Sequence, residues 1–113
     1  MRSLVADSAR FQRRILLLLL EGLGISGAEA ESFGAAREAG ADLMFLDLSI
    51  LPPAPPAGWR AGDPPERRVV VTGEAVKDDS IAAWITSGAD GFLLKPFTRD
   101  GLARVLEDLD MAS

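Results

Sequence analysis

Four short apolar runs in this chain each end on a side chain that can do chemistry. Leu4-Val5-Ala6 runs into Asp7, Leu43-Met44-Phe45-Leu46 into Asp47, Val69-Val70-Val71 into Thr72, and Gly91-Phe92-Leu93-Leu94 into Lys95. Runs this short, bounded by turn residues, read as buried strands of a parallel sheet. Ile25 to Ala30 is a weaker strand signal. Helical spacing lies between the runs: Phe11 to about Glu21, Ser32 to Ala39, Ile81 to Ser87, and a last helix after Thr98 carrying Leu102, Val105, Leu106 and Leu109. Alternation of this kind means βαβ units and a parallel sheet with helices on both faces. Ligands of such sheets sit just beyond the carboxyl ends of the strands. The expected fold therefore gathers Asp7, Asp47, Thr72 and Lys95 at one edge.

The intervening segments carry further signals. Asp7 or Ser8 is placed to cap the first helix, which Gly22 and Gly24 end. Six consecutive apolar residues, Ile15 to Leu20, sweep more than a full turn, whereas an amphipathic helix needs only a stripe. Phe11, Ile15 and Leu19 are expected to face the core, turning Leu17 and Leu18 toward a neighbouring element or a partner such as a second copy. Leu51 to Glu66 holds six of the seven prolines and cannot form an ordinary helix. It is expected to be an extended loop, with Trp59 folded back on the body or offered to a partner. Asp78-Asp79-Ser80 is expected to cap the helix that starts at Ile81.

Composition narrows the chemistry. The 113 residues make one domain, and a net charge of −5 with no cluster of Lys and Arg argues against a nucleic-acid partner. No Cys and no His are present, which removes thiolate nucleophiles, Ser-His triads and imidazole metal ligands. Ile15 to Leu20 is too short to span a bilayer, so no membrane partner is expected, and a cytoplasmic location is. Carboxylates, hydroxyls and lysine remain. A carboxylate can attack phosphorus to give an aspartyl phosphate. Such transfer needs a hard cation on one or two carboxylates, a lysine can neutralise phosphoryl oxygens, and a threonine can hydrogen-bond them.

The segments Val5-Ala6-Asp7-Ser8, Phe45-Leu46-Asp47, Val70-Val71-Thr72 and Ser87-Gly88-Ala89-Asp90-Gly91-Phe92-Leu93-Leu94-Lys95-Pro96-Phe97 together resemble the receiver domain of two-component response regulators. The last segment is the most specific, and the resemblance spans nearly all of residues 1–113. It implies a flavodoxin-like, doubly wound α/β fold with five parallel strands in the order 2-1-3-4-5, the known order of the chemotaxis receivers. It also implies site roles: Asp47 as phosphoacceptor, Thr72 as switch hydroxyl, Phe92 as the aromatic that moves with it, and Lys95 as phosphate contact. Asp7, Asp47 and the Ser49 carbonyl would hold Mg²⁺, and the Lys95–Pro96 bond would be cis.

Three departures stand out. Ser8 replaces the second of two adjacent acids, so Mg²⁺ binding there should be weak or lost. The proline-rich stretch stands where the family has its third helix, leaving a sheet face exposed or covered by a dimer partner. The segment with the second strand and helix is short. The expected function is that of a stand-alone receiver, not an enzyme. It would take a phosphoryl group from a histidine kinase or histidine phosphotransferase and signal to a downstream protein effector. The alternative is a degenerate pseudo-receiver, a phosphorylation-independent interaction or dimerisation module. Trp84 would join the output surface around Phe92 or pack with Ile81 and Ile85.

Overall fold

Each apolar run becomes a parallel strand in the computed structural model, which describes residues 2–57, 59, 67–74 and 79–109, positions 79 and 80 by their backbone. The elements run β1 (Ser3–Ala6), α1 (Arg10–Gly22), β2 (Gly27–Ala30), α2 (Phe33–Glu38), β3 (Leu43–Asp47), a 3-10 turn (Leu48–Ile50), β4 (Arg68–Gly73), α3 (Asp79–Thr86), β5 (Gly91–Leu94) and α4 (Arg99–Asp108). The five strands form one sheet in the order β2-β1-β3-β4-β5, every pair parallel. That is the flavodoxin-like order expected from the sequence.

Side chains alternate across a strand, and because β3 and β4 are central, both alternating sets are buried. Met44, Leu46, Val69 and Val71 join Leu4, Ala36 and Trp84 in one layer. Leu43, Phe45 and Val70 join Val5, Leu16, Leu20, Leu102 and Leu106 in the other. Ser32 caps α2 by accepting the Ala35 N–H at 3.2 Å, and Thr98 caps α4 by accepting the Gly101 N–H at 3.0 Å. Gly88 turns the chain after α3 at φ 107°, a conformation that favours glycine.

The first helix departs from expectation in its rotation. Arg13, Leu16 and Leu20 are its buried residues, while Phe11 is 74% exposed and Leu18 66%. Ile15, Leu17 and Leu19 are half-buried flanks of that stripe. Leu18 does turn outward, but Leu17 packs on the core and Phe11 does not. The reason is Arg13: its ion pair with Glu29 on β2 draws that face of the helix inward. The cap also differs. The N-cap is Ala9, and Asp7 Oδ1 accepts the Ala9 N–H at 2.8 Å from outside the helix.

No α-helix lies between Ile50 and Arg68 among the described residues. The sheet face that this would leave bare is nevertheless covered from within the chain. Leu48, Ile50, Leu51, Phe33 and Trp59 pack on the layer that holds Trp84. The rings of Phe33, Trp59 and Trp84 contact one another pairwise at centroid distances of 5.4, 5.5 and 5.5 Å. The Arg37 guanidinium sits 5.7 Å above Phe33 and 5.8 Å above Trp59. Trp84 Nε1 donates to the Pro52 carbonyl at 3.1 Å and so pins the proline-rich loop to α3. Trp84 is fully buried, which removes it from any surface around Phe92, and Trp59 is folded back. The stretch 60–66, with Pro64 and Pro65, lies outside the described residues, as does Asp78. The helix expected from Ile81 begins at Asp79.

Candidate functional site

Asp47 is the last residue of β3 and stands level with Thr72 on β4. Asp7 follows β1 and Lys95 follows β5, so the parallel topology brings all four to one edge. Thr72 Oγ1 donates to Asp47 Oδ1 at 2.8 Å. Lys95 Nζ lies 3.0 Å from that same oxygen and 2.8 Å from Asp7 Oδ2. Ser49 N–H donates to Asp47 Oδ2 at 3.0 Å. Asp7, Asp47 and Thr72 are buried, and the Lys95 side chain is 10% exposed. The peptide bond after Lys95 is cis.

These contacts set the charge states. Burial pushes the Asp47 carboxyl up, but the hydrogen bonds from Ser49, Lys95 and Thr72 outweigh it and hold the group below the usual carboxylate range. Burial likewise pushes Lys95 down, and its bonds to Asp7 and Asp47 outweigh that and raise it. Two carboxylates against one ammonium leave the site with one net negative charge. An ionised, buried, partly neutralised carboxylate that faces an open cleft is chemically a nucleophile with its counter-ion already in place.

Ser8 does not join the acids. Its hydroxyl donates to Ser49 Oγ at 2.9 Å, and its N–H points to the same oxygen at 3.3 Å. Both serines are exposed at the mouth of the cleft. Phe92 is half-buried and packs on the same layer as Leu48. A Cβ on Gly73 would come within 3.4 Å of its ring and 2.7 Å of Leu48 Cδ1, so a larger residue after Thr72 would displace the Leu48 side chain.

Gln12 and Glu74 also line this cleft, and sequence reading singled out neither. It also missed Arg13, whose Nη1 donates to the Asp7 carbonyl at 2.7 Å. No spacing signal singles Arg13 out, because the six apolar residues from Ile15 to Leu20 satisfy several stripes. Among the described residues no group of three or more acidic, His or Cys side chains is placed to hold a metal. Mg²⁺, however, commonly takes one or two carboxylates and completes its shell with water. The facing carboxylates of Asp7 and Asp47 meet that minimum. Ser8, closed onto Ser49, adds no charge to it.

No protein-family model and no curated protein matches the sequence. Solved structures do match the fold. A response regulator from Thermotoga maritima superposes with a TM-score of 0.72 at 25% identity, covering 96% of this chain and 97% of that one. The chemotaxis protein CheY4 of Vibrio cholerae gives 0.68 at 17% identity, covering 94% and 95%. NtrX from Brucella abortus, solved in complex with ATP, gives 0.74 at 24% identity over 98% of this chain. The chain spans only 27% of the length of NtrX.

Proposed function

We propose that this chain, whose fold is that of response-regulator receiver domains, accepts a phosphoryl group on Asp47 and passes the change on through protein contacts. One observation carries the reading: Thr72 and Lys95 converge on a single oxygen of the buried, ionised Asp47. A strand-end carboxylate kept for turn geometry has no use for a hydroxyl and an ammonium on one oxygen.

The donor is a histidine kinase or histidine phosphotransferase. An Asp47 oxygen forms its bond to phosphorus as the P–N bond of the donor phosphohistidine breaks, and the imidazole leaves with the electron pair of that bond. Lys95 offsets the charge on the phosphoryl oxygens, and the Thr72 hydroxyl turns from the carboxylate to one of them. Mg²⁺, when held by Asp7, Asp47 and the Ser49 carbonyl, would offset further charge at phosphorus. With Ser8 neutral, that binding is weak. The phosphoryl group brings about −1.5 to −2 charges at neutral pH in place of the single charge of the Asp47 carboxylate. Phe92, packed beside Leu48 and Gly73, is the side chain that responds. The chain acts in the cytoplasm as a signalling module, with a downstream protein effector.

The second reading is an interaction module that works without phosphorylation, whether with another protein or a second copy. The closure of Ser8 onto Ser49, where a second acid would stand, supports it. Intact-mass measurement after incubation with acetyl phosphate, with and without Mg²⁺, separates the two. A phosphoryl adduct that needs Mg²⁺ and is lost in Asp47→Asn supports the receiver. Absence of an adduct both with acetyl phosphate and with histidine-phosphorylated donor proteins supports the module.

A further inference from the structure

Arg13 is 4% exposed, and a guanidinium is costly to bury unless its donors are paired. Nη1 donates to the Asp7 carbonyl at 2.7 Å and Nε to Glu29 Oε1 at 2.8 Å, while Nη2 lies 3.5 Å from Glu31 Oε1. The Arg13 hydrogen bond also holds the Glu29 carboxyl below the usual carboxylate range. At this position, in line with Leu16 and Leu20, another leucine would have sealed the same face without any desolvation cost.

The arrangement makes sense from the side of Asp7. All of its polar atoms are engaged. Its N–H donates to the Ala30 carbonyl at 3.2 Å, and its carbonyl accepts from Arg13. Oδ1 accepts the Ala9 N–H at 2.8 Å, and Oδ2 meets Lys95 Nζ at 2.8 Å. Two of these tethers lead to β2, one directly and one through Arg13 and Glu29.

We propose that Arg13 is a positioning residue for the acidic site: by joining the Asp7 carbonyl to Glu29 on β2, it fixes the turn between β1 and α1 so that the Asp7 carboxylate meets Lys95 opposite Asp47. Arg13 itself touches neither the phosphoryl group nor Asp47. Its consequence for phosphoryl uptake rests on the Asp47 reading; its hold on Asp7 does not. Without Arg13 the buried Asp7 carbonyl loses its donor, the turn relaxes to find another, and the carboxylate turns with it. Through Glu29, a perturbation at the edge of the sheet is felt at the site.

The test reads the Ala9 amide, whose hydrogen bond ends on Asp7 Oδ1, against the Gly101 amide, held by Thr98 at the far end of the chain. Hydrogen exchange of the full chain is followed by NMR for wild type, Arg13→Met, Arg13→Lys and, as control, Arg14→Met, whose pair with Glu29 is partly exposed. Arg13→Met is expected to lose about tenfold in Ala9 protection with Gly101 unchanged. Arg13→Lys should regain part of it, and Arg14→Met should resemble wild type. Unchanged Ala9 protection in Arg13→Met, or an equal loss at Gly101, overturns the proposal. If Arg13→Met does not fold, Glu29→Gln is read in the same way: a loss confined to Ala9 supports the role and no loss overturns it. In a second arm, the half-saturating Mg²⁺ for acetyl phosphate labelling should rise about tenfold in Arg13→Met, as for other partners of a metal ligand, with the plateau rate retained. A wild type that takes no label from acetyl phosphate or from histidine-phosphorylated donor proteins refutes the Asp47 reading and leaves the Ala9 result to decide the role of Arg13.

Discussion

Thr72 Oγ1 donates to Asp47 Oδ1 across 2.8 Å, between residues that stand level on adjacent strands. The bond ties the end of β4 to the only carboxylate in β3. Thr72→Val keeps the shape and removes the donor. A buried acceptor then loses one of its partners, which costs about 1–3 kcal/mol. Urea unfolding should show a lower midpoint with an unchanged slope. If Asp47 is the phosphoacceptor, the variant should still label with acetyl phosphate and should fail to transmit the change to Phe92.

The pH dependence of stability follows from the two shifted groups. Asp47 is depressed in the folded state, so its contribution is present above the unfolded value of about 3.9. It is lost as pH falls through the lower folded value. Lys95 is raised, so its contribution is present below about 10.4 and lost only as pH rises through the higher folded value. Urea midpoints should therefore form a plateau across neutral pH with an acid limb below about pH 4. Lys95→Met removes one of the groups that depress Asp47, so its folded value moves back toward the unfolded one and the acid limb should shrink, with a lower midpoint on the neutral plateau. An acid limb of undiminished size would show that Lys95 does not hold the Asp47 carboxyl down.

Ser8→Asp restores a carboxylate where the hydroxyl now closes onto Ser49. It adds a negative charge to a site that already carries one, so the metal-free variant should melt lower than wild type. Added Mg²⁺ should return the loss, and the half-saturating concentration should fall about tenfold, as for a gained ligand. Thermal unfolding across a Mg²⁺ titration reads both effects. Equal Mg²⁺ dependence in the two proteins would remove Ser8 from the metal site.

The aromatic cluster offers a test of what covers this face of the sheet. Trp84 is fully buried between the sheet and the proline-rich loop, and Trp84→Ala should cost about 3–5 kcal/mol. Trp59 is half-buried, so Trp59→Ala should cost less, about 1–3 kcal/mol. Equal costs would mean that the loop contributes as much to this face as the helix beneath it does.

The strands were legible because each apolar run is short and ends on a polar residue, while their order came only with the resemblance to receiver domains. Leu43–Asp47 and Gly91–Leu94 match residue for residue. The convergence of Asp7, Asp47, Thr72 and Lys95 followed from parallel topology alone. The rotation of α1 was not legible, because six apolar residues in a row satisfy several stripes equally. What decides among them is the burial of a charged residue, which hydrophobic spacing ranks last. The cover over the sheet face beside the proline-rich loop was also hidden. Phe33, Trp59 and Trp84 stand far apart in the chain, and no local pattern announces that their rings meet.

That meeting of rings has an optical consequence. The chain has two tryptophans and no tyrosine, and both indoles sit in the one cluster. Excitation near the red edge of protein absorption therefore reports on a single place in the molecule. Leu48, the residue directly after Asp47, packs on the buried layer to which Trp84 belongs. Emission from the native protein is thus a label-free gauge, built into the sequence, of whether events at Asp47 travel into the layer beneath it.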